Sequence, residues 1–327
     1  MYKRLSPVAL LCALLLVANL IGGCAQKPQQ KPGGGKVPPI PEAISKGANV
    51  EPELKVYFHE NGTVKTMKLE EYIQGVVAGE MGPDWPDKAF AAQAILARTF
   101  TLQKIAEKPK LDNRDANAST NKSEFQAYDA AKVNDRIKKA VESTRGKVLV
   151  YNGDYVRAWF HAYSGGKTAT AKDGLDFTQA ATPYIASVND SQFDTAIPDD
   201  VKTWKASFSL DQVQKAVKQI NGSDPGKVTS IVLGPKNPSD RIDTIKVNNV
   251  EVKTNALRTA LDSTVFKSTM LNQAQVQGGK AVFAGRGYGH GVGMSQWGAR
   301  VMADQGKSPE DIVGYYFKNT NLVSLYQ

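Results

Sequence analysis

The sequence predicts an α+β protein of mixed helices and short antiparallel sheets, with a cleft formed between a core and an inserted middle section. Three observations support this fold class. Asn61-Gly62 and Asn152-Gly153 are turn dipeptides typical of tight hairpins. Several segments carry apolar residues at helical spacing, which predicts amphipathic helices. Strands and helices do not alternate regularly, so a doubly wound parallel sheet is disfavoured.

The elements of the first half follow in order from these signals. Gly82-Pro83 ends the first helix. Pro86 suits the first turn of the next helix, because the N–H that proline lacks would have no helical partner there. The expected elements are strands 54–58 and 63–69, helices 69–80, 86–106 and 134–144, and strands 147–151 and 154–163.

The second half begins with a middle section, residues 183–279, that is expected to mix short strands with two helices. The segment that starts at Ser209 has the pattern of a capping box for the first helix, and Asn255 is the expected cap of the second. A strand at 281–284, a glycine-rich loop and two helices follow, and Ser308 opens the last helix. The pattern leaves open whether the middle section is a separate domain or an insertion.

The N-terminus has the pattern of a secretory signal. Lys3 and Arg4 precede an apolar run, residues 8–20, that is too short for an ordinary spanning helix. Small residues then precede Cys24 and resemble the lipobox of bacterial lipoprotein signals, which implies cleavage before Cys24 and lipidation of its sulfur. The other cysteine, Cys12, lies in the apolar run, so Cys24 has no disulfide partner in the mature chain. We therefore expect an extracytoplasmic protein anchored to the cell membrane by lipid; a plain signal peptide with a chance cysteine is the alternative.

Residues 24–52 follow the signal peptide of residues 1–23 and are expected to form a tether, because they are rich in proline and glycine. At about 3 Å per residue such a segment reaches several nanometres, which suits a target in the wall mesh. The globular domain is expected over residues 53–327. The net charge of +9 favours anionic polymers or lipid head groups, or serves solubility alone. The basic residues form no stripe and no RNA-binding signature is present, so nucleic acid is excluded as a partner.

Glu80 is the first candidate for chemistry. The apolar stripe of the first helix runs through Tyr72 and Val76 to Glu80, whereas Glu70 and Glu71 are expected to face water. A carboxyl group at the end of a buried face and near a helix C-terminus has a raised pKa, since burial and the helix dipole both disfavour its charged form. Such a group can act as a general acid near neutral pH. The alternative is a frayed helix end with Glu80 in solvent.

Two further segments carry candidate binding residues. Arg98 lies on a packed face of the Ala-rich second helix, where its guanidinium needs a carboxylate or a ligand unless it reaches solvent. On strand 154–163 the alternation places Trp159, His161 and Tyr163 on one face. Aromatic rings beside polar groups suit a sugar, and an ordinary half-exposed strand would show the same pattern.

The glycine-rich loop at residues 285–298 precedes a helix but fits neither of the common phosphate-binding motifs. So many glycines in one loop indicate that its backbone must take an unusual conformation, and holding His290 beside a site is one reason for such a conformation.

No metal is expected, because His59, His161 and His290 are far apart in sequence and lack ligand-spaced partners. No cofactor is expected either.

Three motifs occur in order along the chain. They are residues 75–81 with Trp85-Pro86 and 92–99, then residues 160–168, and finally residues 287–299. Together these motifs resemble the stage II sporulation protein D family, also called the amidase-enhancer family, over about residues 54 to 325.

The resemblance implies a lytic transglycosylase that cleaves peptidoglycan glycan strands and prefers strands stripped of peptides. Glu80 matches the family's acid/base, which protonates the bridging oxygen and then takes the proton of the sugar's own 6-hydroxyl to close a 1,6-anhydro ring. Arg98 matches a residue that positions substrate or Glu80. Together with the aromatic Trp159 and Tyr163, the other positions assigned to substrate binding are His161, Ser164, Gly165, Asp173, His290, Ser295 and Gln296.

The sequence departs from the family in two respects. Some members hold zinc with cysteines near the second motif, and this sequence has no cysteine there. Sporulation members are typically held by an N-terminal transmembrane helix, whereas Cys24 indicates a lipid anchor, so a sporulation role and a general wall role both stay open. Two alternatives to the enzyme also remain. One is a non-catalytic glycan-binding protein that enhances a separate cell-wall amidase, and the other is a structural envelope lipoprotein without glycan affinity.

Overall fold

The computed structural model describes residues 36–327, so the predicted signal peptide and Cys24 lie outside the described residues. The predicted α+β class is confirmed. The helices are α1 (Leu69–Glu80), α2 (Asp87–Glu107), α3 (Asp135–Ser143), α4 (Ala171–Leu175), α5 (Asp199–Lys202), α6 (Leu210–Asn221), α7 (Thr254–Ala260), α8 (Gln296–Asp304) and α9 (Pro309–Tyr316). The strands are β1 (Glu53–Phe58), β2 (Thr63–Lys68), β3 (Ala118–Ser119), β4 (Lys147–Tyr151), β5 (Asp154–Tyr155), β6 (Phe160–His161), β7 (Thr203–Ser209), β8 (Ile231–Leu233), β9 (Thr244–Val247), β10 (Val250–Lys253), β11 (Leu271–Gln277), β12 (Lys280–Arg286), β13 (Met294–Ser295) and β14 (Asn321–Ser324).

Helix α2 is the central element of the larger of two hydrophobic cores. Its many alanines let other elements approach closely, and α1, α3, α8, α9 and β4 all pack against it. The apolar residues of this core come from residues 44–197 and 292–326. The predicted β1–β2 hairpin is confirmed, and β3 adds to it in parallel with β1. Strand β4 lies between β14 and β5 in a separate sheet.

The second hydrophobic core lies between Trp204 and Phe283. It is built on two antiparallel sheets, in the orders β11-β12-β7 and β10-β9-β8, together with α6 and α7. The predicted capping box of α6 is confirmed, with Ser209 as N-cap. The predicted cap of α7 is wrong: the N-cap is Lys253, and the Asn255 amide instead donates to the Asp176 carboxylate at 3.1 Å.

The predicted strand 154–163 is also wrong, because the chain changes sheets within it. Only β5 pairs with β4, and the chain then leaves that sheet. Strand β6 pairs in parallel with β13, so that His161 lies opposite Ser295. The regular alternation of faces is lost between the two short strands. Val156 and Ala158 were predicted to lie on one face and Tyr163 on the other, yet all three side chains are buried.

Part of the predicted tether packs on the domain. Ile44 is 2% exposed and belongs to the larger core. The Tyr155 hydroxyl donates to the Pro39 carbonyl at 3.1 Å, and Asn49 forms a parallel bridge with Tyr326. The apolar residues among the prolines therefore hold this segment against the fold, and only the part before residue 36 stays a predicted tether. Within residues 36–327, no helix is both long and apolar enough to cross a membrane.

Candidate active site

A pocket of about 680 Å³ is lined by residues of the larger core and of the middle section. Its lining comes from the end of α1, the segment 122–127, strand β6, residues 288–290 and the residues around Arg258. Five residues that the sequence assigned to the site line this pocket. They are Glu80, Trp159, His161, His290 and Gln296.

Glu80 is the last residue of α1 and reaches the pocket at the end of the helix's buried face. Its Oε1 accepts a hydrogen bond from the Ala127 N–H at 2.7 Å. Burial raises the pKa of the Glu80 carboxyl above its ordinary value, against the opposing effects of the Ala127 N–H, the Gln296 amide and the Lys122 charge. A larger fraction of this group is therefore protonated near neutral pH than of an exposed glutamate.

Two glycines of α1 let the segment 127–128 lie against the helix. A Cβ on Gly75 would stand 2.1 Å from the ring of Tyr128, and one on Gly79 would stand 2.7 Å from the main-chain nitrogen of Tyr128. Contacts this short do not occur between real atoms, so any side chain would move the segment away. The glycines therefore bring the Ala127 N–H within reach of the Glu80 carboxyl group.

His161 and His290 lie side by side in the pocket, with ring centroids 5.7 Å apart. His161 Nδ1 lies 3.2 Å from the Val292 carbonyl oxygen. Because a carbonyl only accepts, Nδ1 carries the proton and Nε2 is left as an acceptor. Nε2 is buried and has no hydrogen-bond partner in the described part of the chain. Burial, aided by nearby arginine, lowers the pKa of His161 well below 6.5 and that of His290 to about 3, so both rings are neutral.

The glycine-rich loop explains how the two rings come together. Gly289 has φ +107°, and a Cβ on it would stand 2.7 Å from the Cβ of His161. The Val292 N–H donates to His290 Nδ1 at 3.0 Å, which fixes that ring. The loop thus folds over β6 closely enough to hold His290 beside His161.

Gln296 and Trp159 complete the set of predicted residues in the pocket. Gln296 opens α8, and its Nε2 donates to the Glu80 main-chain oxygen at 3.3 Å, so it joins the ends of two helices. Trp159 is half-buried and packs edge-to-face on Phe177, with ring centroids 5.1 Å apart. Its ring forms part of the pocket lining, where it can pack on a sugar.

Of the two acceptors that the sequence left open for Arg98, the carboxylate is the one present, so the assignment of Arg98 to substrate binding is wrong. Arg98 is 0% exposed and forms an ion pair with Glu70, which the sequence placed in water. Both errors arise from the burial of Glu70, whose carboxylate occupies the Arg98 guanidinium. α1 is covered by α2, α3 and β2 rather than by one neighbour, so its buried face is wider than the apolar stripe.

Five other residues assigned to substrate binding also lie outside the pocket. The Tyr163 and Ser164 hydroxyls donate to buried or half-buried aspartates, Asp194 at 2.6 Å and Asp190 at 2.8 Å. Gly165 lines a different cavity. The remaining two have structural contacts: Asp173 accepts the Ser239 hydroxyl at 2.5 Å, and Ser295 caps α8 by accepting the Gly298 N–H at 3.2 Å. The side chains of Tyr163, Ser164, Asp173 and Ser295 are thus engaged by other parts of the fold.

Sequence reasoning missed Arg258, Lys104, Lys122 and Tyr288, which also line the pocket. Tyr288 lies within the third motif. No local signal identifies the three basic residues, because basic residues at such spacing are usual on helices and loops. Their positions depend on how the middle section meets the larger core. In the described part of the chain, no group of three or more histidine, cysteine, aspartate or glutamate side chains is placed to hold a metal ion.

Residues 57–151 match the family described as stage II sporulation protein, and residues 177–293 match a family described as a domain of unknown function (DUF8618). The first match contains Glu80, and the second contains Arg258 and His290. The pocket therefore combines residues from both matched segments.

Three relatives show how far the similarity extends. Stage II sporulation protein D of Bacillus subtilis is 32% identical over 96% of this chain and 94% of its own length. An uncharacterised protein of Brachyspira hyodysenteriae is 30% identical over 80% of this chain and 68% of its own length. The amidase enhancer of Bacillus subtilis is 28% identical over 77% of this chain, which spans 40% of that relative.

Proposed function

Since the chain belongs to the stage II sporulation protein D family, we propose that it is a lytic transglycosylase that cleaves peptidoglycan glycan strands, preferentially those stripped of peptides. The observation that carries the proposal is the half-buried Glu80 carboxyl group in the pocket lining. Burial raises the pKa of this group and so favours its protonated form. The same pocket contains a tryptophan ring and a histidine nitrogen that accepts no hydrogen bond from residues 36–327. Acid-catalysed cleavage between two sugars requires a proton donor beside groups that bind the sugars, and the pocket contains both.

In the proposed reaction Glu80 first gives its proton to the oxygen that joins two sugars, and the bond between that oxygen and C1 breaks. The resulting carboxylate then takes the proton of the 6-hydroxyl of the same sugar, while O6 forms a bond to C1. The products are a 1,6-anhydro end and a free hydroxyl on the departing strand. Glu80 ends protonated, and no water is consumed. The Ala127 N–H stabilises the carboxylate between the two steps.

The surroundings of Glu80 favour this single-carboxyl reaction over hydrolysis by two carboxyl groups. The other carboxylate in the pocket lining belongs to Glu124, and two nitrogens of Arg114 bind it. A carboxylate held in this way is poorly suited to activate water. The neutral His161 supplies an acceptor for a sugar hydroxyl or an N-acetyl N–H through Nε2.

The test is digestion of peptide-free glycan strands with the full chain, followed by analysis of the ends by mass spectrometry. Glu80→Gln keeps the size of the side chain and an oxygen that can accept from Ala127, but it cannot give a proton. We expect this variant to lose anhydro-ended product by about a hundredfold or more. Glu71→Gln, on the exposed side of the same helix, is the matched control and should cleave normally. Undiminished product from Glu80→Gln would refute the mechanism.

The relative named amidase enhancer favours a second candidate function, a non-catalytic glycan-binding protein that enhances a cell-wall amidase. Trp159 and His161 would serve binding alone equally well. An amidase assay on intact walls separates the two functions. Enhancement that persists in Glu80→Gln, together with the absence of anhydro ends in wild-type digests, selects the second candidate.

We further propose that lipid on Cys24 anchors the protein to the outer side of the cell membrane. The proposal rests on the lipobox-like sequence before Cys24 and on the positively charged, apolar segment that precedes it. Cys24→Ser should abolish labelling of the protein with a radioactive fatty acid. Labelling that persists in Cys24→Ser would contradict the anchor.

A further inference from the structure

Arg258 lies where two cavities adjoin. A second cavity, also of about 680 Å³, shares Leu175, Arg258 and His290 with the Glu80 pocket. A ligand that extends from one cavity into the other therefore passes the Arg258 side chain. A glycan strand several sugars long has that form.

The Arg258 guanidinium has no acidic partner in the described part of the chain. Nε donates to the Lys267 carbonyl at 3.1 Å and Nη2 donates to the Ser263 carbonyl at 3.1 Å, and both acceptors are neutral. Nη1 donates to no group of residues 36–327. Burial lowers the pKa of Arg258 to about 10, so the group is still cationic at neutral pH. A half-buried cation without an anion is energetically costly, and an anionic ligand would remove that cost.

The other charges of the two cavities leave Arg258 free to bind such a ligand. Apart from the catalytic carboxyl group, the acidic residues there already have partners: Glu124 pairs with Arg114, and Asp176 lies 3.6 Å from the Lys253 ammonium. Lys122 adds a further positive charge to the pocket lining. The two adjoining cavities therefore present net positive charge to a ligand.

The chemistry of the proposed substrate contains one matching anion. The sugar rings of a glycan strand are neutral, and the charge they can carry comes from the lactyl group of muramic acid. With a peptide attached, this group is a neutral amide. After the peptide has been removed, it is a free carboxylate, which a guanidinium binds with two parallel hydrogen bonds.

Resting on the proposed function, we propose that Arg258 binds the free lactyl carboxylate of muramic acid and thereby selects peptide-stripped strands. The side chain is held by two main-chain carbonyls, so it is oriented before the substrate arrives. Selection occurs on binding, since Arg258 gives and takes no proton. A strand whose lactyl groups are amidated loses this contact and places a neutral group against an unpaired cation.

The test compares peptide-free strands with the same strands after their lactyl carboxylates have been converted to neutral methylamides. Binding is measured by calorimetry with the full-length Glu80→Gln variant, and cleavage is measured with the wild type. We expect the free-carboxylate form to bind roughly tenfold more tightly, as loss of a charge-assisted hydrogen bond predicts. In cleavage the difference should appear in KM rather than kcat. Arg258→Gln should bind both forms equally weakly, and Arg258→Lys should keep part of the discrimination.

Arg300→Gln, which removes an arginine outside both cavities, is the matched control and should discriminate like the wild type. Chitin oligosaccharides, which lack lactyl groups, should bind equally to wild type and Arg258→Gln. Equal binding of the two strand forms by Glu80→Gln, in which Arg258 is intact, overturns the inference even if an Arg258 variant fails to fold. A folded Arg258→Gln variant that still prefers the free-carboxylate strands as strongly as the wild type also overturns the inference. Preserved discrimination without any cleavage refutes the proposed transglycosylase and leaves the role of Arg258 intact.

Discussion

Arg98 binds the carboxylate of Glu70 at two points, from Nε to Oε1 at 2.9 Å and from Nη2 to Oε2 at 2.5 Å. The Tyr326 hydroxyl donates to the same carboxylate at 2.6 Å, and the Gly146 N–H donates to it at 3.1 Å. One carboxyl group thus joins α1, α2, the start of β4 and the C-terminal end of the chain. The pair holds together the helices that present Glu80.

We expect Glu70→Gln to destabilise the fold strongly. The variant leaves the Arg98 cation buried without an anion, and breaking a buried pair in this way costs about 3–5 kcal/mol of unfolding free energy. Denaturant unfolding followed by circular dichroism measures the change. Asp112→Asn, which breaks an exposed pair with Lys108, should lower stability by at most about 1 kcal/mol. Equal effects of the two substitutions would contradict the role of the buried pair.

The same carboxyl group predicts an acid-sensitive stability. Burial alone would raise the pKa of Glu70, but Arg98, Tyr326 and the Gly146 N–H outweigh it and lower the pKa below 4.5. A carboxyl whose pKa falls on folding contributes stability above its unfolded pKa, and this contribution is lost as pH falls through the folded value. The stability gap between wild type and Glu70→Gln should therefore narrow below about pH 4.5. A gap that widens on acidification would contradict this assignment.

Gly79→Ala should impair catalysis by moving the segment that binds Glu80. The added Cβ would stand 2.7 Å from the main-chain nitrogen of Tyr128 and 2.8 Å from the carbonyl carbon of Ala127. Overpacking of this kind costs about 1–3 kcal/mol of stability, and the lost Ala127 contact should lower kcat. Gly314→Ala in α9 is the control, since nothing lies within 4 Å of its Cβ position. It should leave kcat unchanged and leave the melting temperature equal or slightly higher.

The pH profile of cleavage should report Glu80. The reaction needs the protonated carboxyl, so kcat/KM should be constant below its pKa and fall as pH rises through it. Because burial raises this pKa, the fall should occur at higher pH than for an exposed glutamate. The Lys122 charge opposes the shift, so Lys122→Gln should move the alkaline limb to still higher pH. Movement to lower pH would contradict the electrostatic assignment.

His161 should contribute to glycan binding without titrating near neutral pH. His161→Leu removes the free Nε2 acceptor and should weaken glycan binding about fivefold, as the loss of one neutral hydrogen bond predicts. Wild-type affinity should show no step near pH 6.5, because the pKa of this histidine lies well below that value. Calorimetric binding between pH 5 and pH 8 checks both expectations. A step near pH 6.5 that disappears in His161→Leu would contradict the neutral ring.

Local signals predicted much of the fold and part of the site. The β1–β2 hairpin, the bounds of α1 and the Ser209 capping box all depend on interactions within a few residues. The spacing of apolar residues along α1 also predicted that Glu80 lies at the end of its buried face. Trp159 was assigned to the site through a strand that the structure divides; the residue lines the pocket, although its predicted local geometry was wrong.

The features of the fold and site that the sequence did not predict depend on contacts between distant segments. Nothing near Glu70 in sequence shows that Arg98 will lie against it, because the pair forms only when α1 and α2 pack. Ser164 stands in the second motif and Asp173 follows it, yet their partners, Asp190 and Ser239, come from other parts of the chain. The sequence of a motif therefore does not show which distant residues its side chains will contact, because those contacts form only when the chain packs.

The parallel pairing of β6 with β13 also determines when the pocket forms during folding. His161 meets Ser295 across this pairing, so the pocket joins segments separated by more than a hundred residues. Contacts between such distant segments form late in folding, because closing the long intervening loop costs conformational entropy. The pocket is therefore complete only after the last helices have docked, and a partly folded chain lacks the site.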